Sequence, residues 1–148
     1  MIRFASLSLV ALSALAGATI AAHAADPVAV AFDEPGICAN ASVLGTIAGR
    51  FRHQVTHVPN LPDVAIADFQ RISETLHKPQ IYDERPIDRR YCHARADMSD
   101  GRSHDVWYVI ERPAGFAGIG SNVEFCVSGF DRWNVYDGRC RVLRPALW

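Results

Sequence analysis

Apolar positions along the chain change rhythm three times, and each rhythm predicts a different element. From Phe4 to Ala22 no residue is charged and most are Ala, Leu, Val or Ile. From Val43 the apolar residues Val43, Leu44, Ile47, Phe51 and Val55 recur three and four apart. That spacing marks one buried stripe of a helix. Asn40 stands ahead of it as N-cap, its side-chain oxygen placed to accept from free N–H groups of the first turn. The predicted helix runs to roughly Phe51–Val55, with Arg50, Arg52 and His53 largely outside the stripe.

The stretch Leu61–Ile81 carries two signals. Ile66, Phe69 and Ile72 are spaced by three, as on a helix. Val64 and Ile66, between Pro62 and Pro79, also suit a strand carrying a bulge. The strand is preferred, because the segments that follow are strands and need a neighbour. From Arg89 the rhythm becomes two. In Tyr91–Met98 the even positions are small or apolar and the odd ones mostly polar, which describes a half-buried strand. Val106–Ile110 is apolar on both faces and reads as a central strand. Residues 113–121 form a glycine-rich connection, Val123–Phe130 a third strand ending at Gly129, and Trp133–Leu143 a last extended pass turning at Asp137-Gly138. Residues 25–37 read as an extended lead-in broken by Pro35-Gly36.

Ser99-Asp100-Gly101-Arg102 is a hairpin signal, and its register can be argued. A two-residue turn would set Ala94 opposite Trp107 and Asp97 opposite His104. A three-residue loop ending in left-handed Gly101 pairs Arg95 with Asp105 and Cys92 with Tyr108. The second keeps Val106, Tyr108 and Ile110 on the face of Ala94, Ala96 and Met98, and sets opposite charges across the strands. It is the register expected. The fold class that follows is α+β: one helix laid on a curved antiparallel sheet of four to five strands, a cystatin-like layout. A sheet with one apolar face must cover it, and the one clear helix carries the matching stripe.

The first segment changes the setting. A single positive charge at Arg3, the apolar run, and small residues around Ala22-His23-Ala24 have the form of a secretory signal, so residues 1–24 are expected to be cleaved. The run approaches the roughly 20 residues that span a bilayer, but its Gly, Ser and Thr content favours a leader over an anchor. The mature chain, residues 25–148, is then one domain in the periplasm or outside the cell, with no stable membrane span. Without Arg3 it carries 14 basic and 16 acidic residues. A surface so nearly balanced lacks the basic field that non-specific nucleic-acid binding needs.

Cys38, Cys92, Cys126 and Cys140 are even in number and widely spaced, which points to structural disulfides in an exported chain. Parity chooses among three connectivities. Cys92 shares the inward face of its strand and points at the helix layer, where Cys38 stands near the helix start. Cys126 lies with Glu124 and Ser128 opposite Val123, Phe125 and Val127, and meets Cys140 as the chain returns. The pairs are therefore Cys38–Cys92 and Cys126–Cys140.

The segments Arg89-Arg90-Tyr91-Cys92, Asp100-Gly101-Arg102 and Val106–Glu111, with Val123–Gly129 and Cys140, resemble a family of small exported bacterial proteins of unknown function. The likeness spans roughly residues 85–145. It implies a periplasmic or secreted destination and supplies no activity.

Chemistry is sparse. His53 and His57 lie four apart but lack the glutamate of a zinc-protease helix, and read as a polar helix end. There is no G-x-S-x-G elbow, and paired cysteines offer no thiolate. Gly115–Gly120 links strands and precedes no helix, so it is not read as a phosphate cradle. No cofactor or metal is expected. Glu111 and Glu124, beside aromatic strand residues, are the acids a small periplasmic hydrolase would use. The favoured reading is a non-enzymatic binding or inhibitor module. Its partner, an envelope protein or an anionic glycan, would dock on Arg89, Arg90, Tyr91, Arg95, Arg102 and Trp107, with Arg85 nearby. Glu84, Asp88, Asp97 and Asp105 are available to neutralise that cluster.

Overall fold

The computed structural model describes residues 36–81, 83–114 and 119–144, which fall within one compact unit, Ala31–Trp148. The leader, nearly all of the 25–37 lead-in and the middle of the glycine-rich connection lie outside the described residues. A 3-10 helical turn, Gly36–Ala39, leads into helix α1, Ala41–His57. The expected cap is in place: the Asn40 carbonyl oxygen of the side chain accepts from the Ser42 N–H at 2.9 Å. The helix stops where the Val58 N–H closes on the Gln54 carbonyl, ahead of Pro59. Val43, Ile47, Phe51 and Val55 are buried, as the stripe requires.

Four antiparallel strands follow as a meander in the order β1-β2-β3-β4: β1 Ile66–Lys78, β2 Asp88–Met98, β3 Ser103–Arg112 and β4 Asn122–Val127. The helix covers one face. Its buried stripe meets Ala94, Ala96, Met98, Val106, Tyr108, Ile110, Val123 and Val127 in one cluster. The α+β layout expected from the sequence is the layout found.

The double signal at Leu61–Ile81 has a geometric origin. Strand β1 is the preferred element, and its pairing with β2 slips between Ile66 and Asp68, between Gln70 and Ser73, and between Glu74 and Leu76. Each bulge adds a residue on one side only. Inward positions therefore recur by three instead of two, and Ile66, Phe69 and Ile72 all pack on the helix-side core. Arg71 takes a left-handed φ of 52° inside one of these irregularities. The bulges also break the flat edge that a 13-residue outer strand would offer to other chains.

The β2–β3 hairpin adopts the expected register. Arg95 faces Asp105, Cys92 faces Tyr108, and Gly101 has φ 79°. Both disulfides match the parity argument, Cys38–Cys92 and Cys126–Cys140. Each belongs to its own apolar cluster. The first lies in the helix-side core beside Tyr108, whose hydroxyl donates to the Cys38 carbonyl at 2.7 Å. The second joins Val109 and Leu143 on the opposite sheet face, with Tyr91, Trp107 and Tyr136 packed against it.

The C-terminal stretch differs from expectation. Trp133–Leu143 is not an extended strand, so among the described residues the sheet has four strands. Asn134, Asp137, Gly138, Arg139 and Cys140 all have positive φ, and Arg141–Leu143 closes as a 3-10 turn. The Asp131 carboxylate organises the first bend, accepting from the N–H groups of Val135 and Tyr136 at 2.8 and 2.9 Å. Val135 and Val142 are exposed. Strand β4 likewise ends at Val127, not at Gly129. Phe130 then enters the helix-side core edge-on to Phe51, with ring centroids 4.9 Å apart. From there the chain wraps around β4 to bring Cys140 to the other face.

Candidate functional site

Alternation along β2 decides which expected site residues share a surface. Odd positions of β2 and β3 point away from the helix, and the register aligns them in cross-strand rows: Arg89 with Glu111, Tyr91 with Val109, His93 with Trp107, Arg95 with Asp105. Arg89, Tyr91, Arg95 and Trp107 thus lie on one face. Arg90 lies on the other, where it bonds Glu74 at 2.9 Å and approaches Asp88 at 3.7 Å. Asp88 in turn contacts His77 at 2.6 Å. Arg102 sits at the hairpin tip beside Asp100 at 3.8 Å, and Arg85 donates to the Pro79 carbonyl. The expected cluster is therefore divided, and its coherent part is the outer face of β2 and β3.

That face is a built surface. The Arg89 Nε donates to Glu111 at 2.6 Å, and this bond holds the guanidinium protonated more firmly than usual, against a smaller opposing effect of burial. Glu111 also accepts from the Asn122 amide at 3.4 Å. Lys78 places its ammonium 5.5 Å from the Tyr91 ring centre. His93 tilts against Trp107 with centroids 4.2 Å apart, and its Nε2 meets Asp105 at 3.1 Å. The Arg144 guanidinium lies 4.9 Å from the Trp107 ring, supplied by the wrapped C-terminal segment. Such contacts attract a cation to an aromatic face by about 0.5–1 kcal/mol at exposed sites. Arg95 is exposed and makes no ion pair among the described residues.

Glu111 and Glu124 share this face on neighbouring strands. Glu111 is committed to Arg89, Glu124 is exposed, and neither lines the clefts of about 300 and 600 Å³ beside α1 and beside the start of β2. His53 and His57 stack 3.8 Å apart at the helix end, and the His57 Nδ1 contacts the His53 carbonyl at 2.8 Å. Among the described residues, no three His, Cys, Asp or Glu side chains converge in a metal-binding cluster. The outer face presents cations and flat rings, with the carboxylates of Glu111 and Asp105 paired among them.

Sequence reasoning missed three contributors. His93 was legible in principle, since it shares parity with Tyr91 on β2, whereas Lys78 reaches this face only through the register slips of β1. Arg144 was not, because its position depends on a segment that does not follow a strand's alternation. The groove beside α1, lined in part by Arg132, Trp133 and Tyr136, was missed for the same reason. No protein-family model matches the chain, and comparisons with curated proteins and with solved structures return no significant match.

Proposed function

We propose that the mature chain is a non-enzymatic binding module of the cell envelope, exported by the leader at residues 1–24 and docking a partner protein on the outer face of β2 and β3. The observation that carries this reading is the row of oriented cations and rings on that face: Lys78 at Tyr91, Arg144 and His93 at Trp107, and Arg95 without an ion-pair partner among the described residues. Aromatic and arginine side chains dominate the energetics of protein docking. Pre-oriented ones lose less side-chain freedom on binding. Two disulfides agree with an oxidising compartment, and among the described residues no helix is long and apolar enough to cross a membrane. A protein partner is favoured over an anionic glycan because Asp105 and Glu111 interrupt the positive charge on this face.

Passing an envelope extract over the immobilised mature protein tests this. Lys78→Glu with Arg95→Glu should abolish capture of a protein that the parent chain retains, while Arg52→Glu on the solvent side of α1 leaves capture intact. Equal capture by the double variant and the parent overturns the proposal. Retention of anionic polysaccharide with no protein replaces the partner by a glycan.

A further inference from the structure

The wrap of the chain around β4 creates a second concavity, which borders the cluster under the outer face at Cys126 and Tyr136 but takes none of the cations or rings described there. It is a groove of about 300 Å³ between the C-terminal half of α1, strand β4 and the bend at 130–136. Phe125, Val127 and Phe130 form its floor, and Trp133 and Val135 stand at its side. Trp133 is 64% exposed and Val135 67% exposed. Two large apolar side chains are thus held in water beside an apolar floor, by a bend whose conformation Asp131 fixes through two backbone hydrogen bonds.

Charge is placed unevenly around this groove. Its lining includes two guanidiniums, Arg50 and Arg132, and one carboxylate, Asp131. Asp131 spends an oxygen on each of the Val135 and Tyr136 N–H groups. It forms no ion pair with either arginine. Arg52, Arg89, Arg90, Arg102 and Arg141 each reach a carboxylate elsewhere in the chain. Arg132 reaches none among the described residues. Arg50 uses one amino group on the Val123 carbonyl at 2.7 Å, which anchors the guanidinium to the β4 edge, and among the described residues its other donors make no hydrogen bond. The Tyr136 hydroxyl adds a neutral donor: burial, with Glu124 and Asp131 nearby, pushes its pKa above the usual tyrosine range, while Arg50 opposes them.

We infer that this groove binds an amphipathic monocarboxylic acid with a hydrocarbon body. Arg132 and Arg50 hold the carboxylate, and Phe125, Trp133 and Val135 cover the hydrocarbon. A groove of this size suits a chain or ring of moderate length and excludes a folded partner. The charge argument selects an acid over a neutral lipid, because a charged hydrogen bond to guanidinium is about twice as strong as a neutral one. The inference stands apart from the docking face, with which the groove shares no residue singled out there.

Decanoate and decanol, of equal chain length, are suitable probes for the mature chain. Calorimetry should give decanoate an affinity about tenfold or more above that of decanol, the scale of one added charge-assisted contact. The indole N–H resonance of Trp133 should shift saturably with decanoate while that of Trp107 stays in place. Arg132→Gln should bring acid and alcohol to within about threefold of each other, and Trp133→Ala should weaken both ligands about equally. Arg132 and Trp133 are exposed, so neither change threatens the fold. Equal affinity for acid and alcohol, no saturable binding, or a shift at Trp107 instead of Trp133 overturns the assignment. Loss of partner capture on the outer face leaves this result unaffected, so the two proposals fail separately.

Discussion

Removing the two disulfides one at a time should produce different kinds of damage, because each staples a different layer. Cys38 and Cys92 are 54 residues apart, Cys126 and Cys140 only 14. In the chain-entropy account, a cross-link stabilises by restricting the unfolded chain, and loops of these lengths correspond to about 4 and about 3 kcal/mol. The loops share no residues, so the losses should add. Their sum, about 7 kcal/mol, is comparable with the whole stability of an ordinary domain, about 5–15 kcal/mol. The structure adds a distinction that loop length does not contain. Cys38–Cys92 sits within the helix-side core, so Cys38→Ala with Cys92→Ala weakens the entire fold. Cys126–Cys140 holds only the wrapped segment and its small cluster around Val109 and Leu143. Cys126→Ala with Cys140→Ala should release residues 131–144 first and leave the sheet standing. Urea unfolding followed by far-ultraviolet circular dichroism measures the global loss, and amide hydrogen exchange at Val135, Tyr136, Val142 and Leu143 measures the local release. If the second pair of substitutions costs as much global stability as the first, with core and wrap amides exposed together, the two-layer reasoning is wrong.

Further outcomes follow from Tyr108 and from arginines on the two faces of the sheet. Tyr108→Phe removes the donor to the Cys38 carbonyl in a fully buried setting and should cost about 1–3 kcal/mol in urea unfolding. Burial raises the folded pKa of Tyr108 above its ordinary value, so the folded state holds that proton more tightly than the unfolded chain. Stability from this group is complete below about pH 10 and declines as pH rises further; in Tyr108→Phe the alkaline decline should shrink, and an unchanged decline would assign it to other groups. Arg90→Glu should destabilise by about 2 kcal/mol, discounted for partial exposure, because it leaves Glu74 unpaired beside a second carboxylate. Arg95→Glu, on the outer face, should stay within about 0.5 kcal/mol. Equal melting of these two variants would show that the two sheet faces are not the distinct environments described.

Much of this architecture is legible in one-dimensional pattern because period and parity are local geometric rules. Val43, Ile47, Phe51 and Val55 specify a helix face whatever they pack against. In the hairpin, the apolar match of Ala94 and Ala96 with Val106 and Tyr108 selects one register, and that register sets the direction of Cys92. The same parity rule on β4 assigns Cys126. The rule also explains where reading became ambiguous: bulges in β1 convert inward spacing from two to three and imitate a helix at Ile66, Phe69 and Ile72. The candidate site was half legible. Arg89, Tyr91, Arg95 and Trp107 belong together by parity alone, while adjacency in sequence suggested Arg90, which alternation sends to the opposite face.

The amino-acid order alone determined the helix and the hairpin register, which depend on side-chain direction between near neighbours or across one turn, and the cystine pairs followed from the faces that strand parity gives Cys92 and Cys126. It also carried the balanced charge of the chain. Only the folded molecule decided the path of residues 130–144, where left-handed residues and the Asp131 hydrogen bonds replace any repeating pattern. That path brings Arg144 to Trp107 and encloses the groove beside α1. Contacts of this kind join segments through the bend of the backbone, and no period in the sequence encodes such a bend.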